Sequence, residues 1–337
     1  TGSDSEVLVV DTVAPAAPAA DVAASSDTGS SNTDNLTSDN TPTISGSGTS
    51  GDTITVTLPT GEVLTTTVAS NGTWSVNPNQ ALPDGAQSVL VTATDPAGNV
   101  SPATTVPVTI DTTAPAAPAA ILAATSDSGV AGDSITTDTT PTISGSGATP
   151  NDIITLYAPN GTTVLGTAIV ASNGTWAITP ASAQPTGLHN FLVKATDPAG
   201  NVSPATTVPV TIDTTAPTAP AADVAALSDT GSSNTDNVTS DTTPTIAGGG
   251  ATPGDTITLY APNGTVLGTA VVASDGTWSI TPNTPLVDGV QALSVKATDP
   301  AGNTSAATPV SVTIDTTAPT APAADVAALS DTGSSNT

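Results

Sequence analysis

Aspartate is the residue type here with both the numbers and the spacing to do chemistry. Asp and Glu total 29 against two Lys+Arg, the formal net charge is −27 at pH 7, and His189 is the one histidine. The aspartates recur in three settings. A Ser-Asp-rich stretch carries Asp27, Asp34 and Asp39 around Gly29, then Asp127, Asp133 and Asp138 around Gly129, then Asp229, Asp236 and Asp241 around Gly231. The word Asp-Thr-Xaa-Ala-Pro starts at Asp11, Asp111, Asp213 and Asp315, and the word Asp-Pro-Ala-Gly-Asn starts at Asp95, Asp197 and Asp299. Two carboxylates about 5 Å apart repel by roughly 3 kcal/mol at an effective dielectric of 20, and a divalent cation turns that repulsion into a clamp. Oxygen-only, loop-borne, carboxylate-rich ligands suit Ca²⁺, whereas Zn²⁺ and copper favour His or Cys. The sequence therefore points to Ca²⁺ as the cofactor, with these aspartates as metal ligands. A plainer use stands beside it: Asp, Ser and Thr are ordinary turn residues, and Asp-Pro-Ala-Gly-Asn is a good tight turn by itself.

The elements that must position these groups repeat. Trp74, Trp176 and Trp278 lie 102 residues apart, as do the three Asp-Pro-Ala-Gly-Asn words. A unit of about 100 residues exceeds a solenoid repeat and has the size of an independent domain. The expected division is the end of a preceding repeat at 1–11, repeats at 12–111, 112–213 and 214–315, and the start of a further repeat at 316–337. Thr332 to Thr337 repeats Thr230 to Thr235, so the expectation is a slice of a longer array.

Within each unit the apolar pattern has period 2. Ile54, Val56 and Leu58 alternate with threonines; Val89, Val91 and Ala93 are matched by Phe191, Val193 and Ala195 and by Leu293, Val295 and Ala297. Pro59-Thr60-Gly61, Asn71-Gly72 and Pro83-Asp84-Gly85 punctuate the runs as turns. The pattern predicts an all-β chain of tandem seven-stranded immunoglobulin-like sandwiches in an elongated array. Without cysteine to bridge the sheets, one tryptophan per unit fills each centre, and its burial contributes roughly 4–6 kcal/mol.

Composition excludes several functions. Gly (29) and Pro (30) stay below the roughly 25–30% of an unstructured chain. So acidic a surface repels nucleic acid and anionic lipid, and no apolar run approaches the roughly 18 residues of a membrane span. Neither a nucleic-acid partner nor membrane insertion of this segment is expected. Nor is an enzyme: His189 aligns with Gln87 and Gln291, which makes it a solvated strand residue, and no base accompanies the hydroxyls. Tyr157 and Tyr260 fall out of phase with the inward positions and face solvent.

In a sandwich with its termini at opposite poles, loops alternate between those poles. The Ser-Asp loop and the boundary aspartate then share the C-terminal pole, and the Asp-Pro-Ala-Gly-Asn loop faces the preceding unit. The first junction should gather Asp27, Asp34, Asp39 and Asp111 with Asp197 and Asn201. The second should gather Asp127, Asp133, Asp138 and Asp213 with Asp299 and Asn303. Asp52, Asp152 and Asp255, at the start of a strand on the N-terminal pole, are weaker ligand candidates, and Asp21, Asp223 and Asp325, whose place Ile121 takes in the second unit, are left outside the ligand set.

The repeated TDPAGNVSPATTVPVTIDTTAPAAPA and SDTGSSNTDNVTSDTTPTI, each once per β-domain, resemble the bacterial immunoglobulin-like repeats of giant biofilm-associated, type I-secreted surface adhesins. The resemblance spans essentially the whole chain. It implies an extracellular location on the bacterial cell surface, calcium ions at interdomain junctions, and neighbouring repeats and other adhesin molecules as partners. The implied function is a calcium-rigidified extender that projects a distal binding region and supports cell adhesion and biofilm formation. The alternative is that the sandwiches themselves recognise a host or neighbouring-cell glycan or protein.

Overall fold

A computed structural model describes residues 9–323. Most of the strand-sized fragment expected at 1–11 and of the further repeat expected at 316–337 lies outside the described residues. All regular structure among the described residues is β. The first repeat has eight strands: β1 (Ala19–Val22), β2 (Leu36–Thr37), β3 (Ile44–Ser47), β4 (Thr53–Thr57), β5 (Val63–Thr67), β6 (Thr73–Val76), β7 (Gly85–Thr94) and β8 (Thr104–Ile110). They form a three-stranded sheet, β1-β3-β6, over a five-stranded sheet, β2-β8-β7-β4-β5. The same two sheets recur in the second and third repeats, between Ile121 and Ile212 and between Asp223 and Ile314. Repeats 1 and 2 belong to one compact unit and repeat 3 to another.

Eight segments replace the expected seven because the first strand is split between the sheets. β1 pairs antiparallel with β3, whereas β2 pairs parallel with β8. Buried Thr37 holds the crossing by donating its hydroxyl to the Ser26 carbonyl at 2.6 Å. Asn35, just before β2, takes a φ of 57°, and its amide donates to Asp21 Oδ1 (2.8 Å) and the Pro107 carbonyl (3.0 Å). Asn237 and Asp223 repeat that bond in the third repeat, while the second has Ser134 and Ile121 at the two positions. Asp21 and Asp223 therefore serve the strand crossing, and the pair is lost together.

The cores follow the period-2 pattern. Ile44, Ile54, Val56, Val89 and Val91 are fully buried around Trp74, and Trp176 and Trp278 sit equally deep in their own repeats. Packing is close where the tryptophan meets the three-stranded sheet: a Cβ on Gly46 would lie 2.8 Å from Trp74 Cζ2 and 1.8 Å from the Ala19 carbonyl oxygen. Each indole N–H is buried without a hydrogen-bond partner.

His189 differs from the expected solvated residue. It is half-buried, stacks on the core ring of Phe191 with centroids 5.4 Å apart, and places Nε2 2.7 Å from the Pro185 carbonyl. Gln87 and Gln291 donate to the matching loop carbonyls of Pro83 and Val287, both at 2.9 Å. All three positions tie the long strand to the loop before it.

Candidate functional site: the acidic poles

In repeat 2 the polar end that receives the chain from repeat 1 is built from three segments. The boundary residue Asp111 follows β8; Asp152 lies at the turn into the strand Ile153–Tyr157; Asp197 opens the Asp-Pro-Ala-Gly-Asn turn. These three aspartates, with Thr113, Thr149 and Pro198, line an open cleft of about 360 Å³. The Asp-Pro-Ala-Gly-Asn turn orders itself: Asp197 Oδ1 accepts from Asn201 N–H (2.8 Å), and Oδ2 accepts from the Asn201 amide (2.9 Å). The same amide donates to the Asp111 carbonyl at 2.8 Å, which fastens the linker to the turn. Asn303 bridges Asp299 to the Asp213 carbonyl in the same way, and Asn99 bridges Asp95 to Asp11.

Asp152 and its counterpart Asp255 are the members that the sequence ranks below the turn and boundary aspartates. Each is only 2% exposed. Burial, then the nearby Asp197 carboxylate, pushes the Asp152 carboxyl above its ordinary value. Burial followed by Asp299 does the same to Asp255, opposed by a hydrogen bond from Thr252, and Asp255 Oδ2 has no hydrogen-bond partner. Asp95 moves the other way, held low chiefly by the Asn99 side-chain hydrogen bond. The sequence signal for these residues is their recurrence at 52, 152 and 255; their burial has no signature in a turn word.

The Ser-Asp loops are arranged differently. Asp34 Oδ1 accepts from Leu36 N–H (3.2 Å), and Asp39 Oδ1 accepts from Thr41 N–H (2.9 Å). Asp133 and Asp138 repeat this at Ile135 and Thr140, and Asp236 and Asp241 at Val238 and Thr243. Boundary residues Asp11, Asp111, Asp213 and Asp315 each cap the residue two positions on. These are turn-forming roles. Asp27 and Asp229 go further: each is 4% exposed, accepts at Oδ2 from the N–H of Asn35 or Asn237, and leaves Oδ1 buried without a partner. Asp127 Oδ2 accepts from Gly132 N–H, and its Oδ1 is also unpartnered. Among the described residues no three His, Asp or Glu side chains converge as a ready metal cluster.

Repeats 1 and 2 meet where the loop alternation places them, through a contact the residue types did not announce. The Ser-Asp loop of repeat 1 receives the turn of repeat 2 on its backbone. Thr28 Oγ1 donates to the Ala199 carbonyl at 2.7 Å, Ser30 N–H to the Pro198 carbonyl at 3.1 Å, and Ser38 N–H to the Ala199 carbonyl at 3.2 Å. Gly29 lies between them at φ 101°, and a Cβ there would stand 2.0 Å from the Pro198 oxygen. Hydroxyl, amide and carbonyl groups make this contact, with Asp27 buried beneath it as a scaffold for the loop.

Paired three- and five-stranded sheets around a central tryptophan, repeated three times, define a tandem array of immunoglobulin-like sandwiches. The chain belongs to the bacterial Ig-like domain family, whose model matches residues 12–112, 113–214 and 215–316. Such repeats are non-enzymatic structural domains. Comparison with the curated proteins finds no match. Among solved structures, the chain is similar to a Ca²⁺-stabilized adhesin that helps an Antarctic bacterium reach out and bind ice, at 28% identity over 89% of this chain and 74% of the other, with a TM-score of 0.38. It is similar also to a 1.5-MDa bacterial ice-binding adhesin, at 25% identity over 89% of this chain and 98% of the other, TM-score 0.34. A third likeness is to the BSP domain of a biofilm-associated protein, at 15% identity over 90% and 67%, TM-score 0.22.

Proposed function

We propose that the chain is an extender segment of a bacterial surface adhesin, stiffened by calcium and acting outside the cell to hold a distal binding region away from the surface. Its units are taken as 12–111, 112–213 and 214–315. Adhesion and biofilm formation are the processes it serves, with calcium, neighbouring repeats and other adhesin molecules as partners. The observation that carries the extender role is the seating of the repeat 2 turn on the repeat 1 loop, by three hydrogen bonds closed over Gly29. A module whose surface is spent on grasping its neighbour is built for length. A ten-residue strand such as Gly85–Thr94 spans about 34 Å, so length grows with repeat number.

Calcium is the finer part of the proposal. The acidic poles fit it by donor chemistry: every candidate is oxygen, and nearly buried carboxylates face a second carboxylate. Asp111, Asp152 and Asp197 line the cleft of repeat 2 and would have to draw together to hold the ion, as would Asp213, Asp255 and Asp299 in repeat 3. The unpartnered Oδ1 atoms of Asp27, Asp127 and Asp229 are further donors. The bound ion would offset carboxylate repulsion and fix the linker to the turn.

Small-angle scattering at constant ionic strength, with millimolar Ca²⁺ and then with excess chelator, tests this. The expected result is a longer maximum dimension with Ca²⁺ and a shorter, broader ensemble without it. Identical profiles, together with no calcium heat in calorimetry, would remove calcium and leave the hydrogen-bonded contact to carry the stiffness.

A further inference from the structure

The chain has two lysines and two tyrosines, and they stand together. In repeat 2, Tyr157 lies opposite Leu192 and Thr155 opposite Lys194; in repeat 3, Tyr260 lies opposite Ser294 and Thr258 opposite Lys296. Repeat 1 has Thr57 opposite Leu90 and Thr55 opposite Thr92. Tyrosine and lysine thus arrive as a pair and are absent as a pair. Both pairs are half-buried on the outer face of the five-stranded sheet, away from the tryptophan core. In a chain of net charge −27, neither ammonium is ion-paired among the described residues.

The residue beside each tyrosine and the turn that follows it, one residue longer in repeat 2, separate the two faces. In repeat 2, Leu192 fills the corner, its Cδ1 3.5 Å from where a Cβ on Gly161 would lie, and Lys194 Nζ sits 5.8 Å from the Tyr157 ring centroid. In repeat 3, Ser294 replaces the leucine and nothing lies within 4 Å of the matching point on Gly264. A cleft of about 320 Å³ opens there, lined by Tyr260, Ala261, Pro262, Gly264, Ser294 and Lys296.

We propose that this cleft in repeat 3 binds a carboxylated sugar, a hexuronate unit of an acidic glycan. The C–H face of a pyranose ring lies against the Tyr260 ring and Pro262, the uronate carboxylate meets the Lys296 ammonium, and Ser294 takes a ring hydroxyl. The volume lies at the small end for ligand pockets and suits one sugar unit. A neutral sugar leaves the ammonium without its counter-charge, and a purely apolar ligand leaves both the ammonium and the serine unpaired. The acidity of the remaining surface is screened beyond about 8 Å at physiological salt, so the local cation decides binding. The site is independent of calcium at the poles.

The test is an NMR titration of the full chain in 0.15 M salt with a glucuronate trisaccharide, and separately with neutral cellotriose. Uronate should shift resonances of 260–264 and 294–296 and leave 157–161 unmoved, with cellotriose without effect. Ser294→Leu and Lys296→Thr write in residues that sibling repeats already carry, so the fold tolerates them, and each should weaken binding at least about tenfold. Leu192→Ser combined with deletion of Thr162, which matches the shorter turn of repeat 3, should create a second site in repeat 2. The proposal is overturned if uronate moves none of these resonances, if cellotriose binds as tightly, if Ser294→Leu binds like the native chain, or if the double change in repeat 2 gains nothing.

Discussion

Replacing Gly29 with alanine should release repeat 2 from repeat 1 while both sandwiches stay folded. Two costs arise, and they can be separated. The first is local: alanine at φ 101° is strained by roughly 1–2 kcal/mol. The second is between repeats: the new Cβ would lie 2.0 Å from the Pro198 oxygen, where real Cβ contacts are at least 3.0 Å, so the turn must retreat by about 1 Å. That retreat takes the 3.1 Å and 3.2 Å bonds from Ser30 and Ser38 past hydrogen-bonding distance. With the Thr28 bond, three bonds at ~0.5–1.5 kcal/mol each give a loss of about 1.5–4.5 kcal/mol in the contact. Gly51 is the control, since it has φ 96° and nothing within 4 Å of the point an alanine Cβ would occupy, so its alanine variant carries strain alone. Amide hydrogen exchange at Ser30 reads the contact directly, whereas Ser38 N–H keeps a second bond to Thr28 Oγ1 at 2.9 Å within repeat 1. Gly29→Ala should lower protection at Ser30 by roughly ten- to a thousandfold, with core amides of β7 unchanged. Gly51→Ala should leave Ser30 and Ser38 as they were. Full protection of the Ser30 amide in Gly29→Ala would refute the assignment of this contact to the Gly29 seat.

Other perturbations follow from the same structure. Asp152→Asn in chelator should raise the melting temperature near neutral pH. A carboxyl pushed up by burial and by Asp197 binds its proton more readily folded than unfolded, so the native aspartate destabilises above its folded pKa. The advantage of the variant should shrink as pH falls through that raised value; an advantage constant with pH refutes it. Asp95→Asn should do the reverse, since the Asn99 bond holds Asp95 low and its contribution fades only as pH falls through that lowered value. Trp176→Ala should cost about 3–5 kcal/mol by denaturant melting. Trp176→Phe should cost clearly less, because the indole N–H gives up no hydrogen bond. Asp21→Ala and Asn35→Ala should be non-additive by about 1 kcal/mol in a double-mutant cycle, as one bond joins them.

Much of the architecture was legible because strand interiors obey period 2 and the tryptophans mark the centre of each repeat. Loop alternation also located the meeting of the Ser-Asp loop with the Asp-Pro-Ala-Gly-Asn turn. The split of the first strand was not legible: β2 is two residues long, its parallel pairing is made by backbone groups, and the buried Thr37 hydroxyl that holds the crossing looks like any threonine. At the junction, charge drew attention to Asp34 and Asp39, whereas the groups that touch are the carbonyls of Pro198 and Ala199, which every residue possesses. Asp152 was visible as a recurring position, yet its proximity to Asp197 depends on folding two distant turns together. The Leu192-to-Ser294 exchange reads as surface drift until Gly161 and Gly264 are compared in space.

The parallel pairing of β2 with β8 also bears on mechanics. In an antiparallel hairpin pulled from its open end, hydrogen bonds break in succession. Here the chain enters at one pole and leaves along β8 at the other, so tension slides the two strands past each other and loads the bonds at Asn35, Thr37, Thr109 and Asp111 together. Forced unfolding is governed by the rate of barrier crossing and not by the resting equilibrium. Two residues of strand, placed in shear beside the exit of the chain, would set how long each repeat holds under flow.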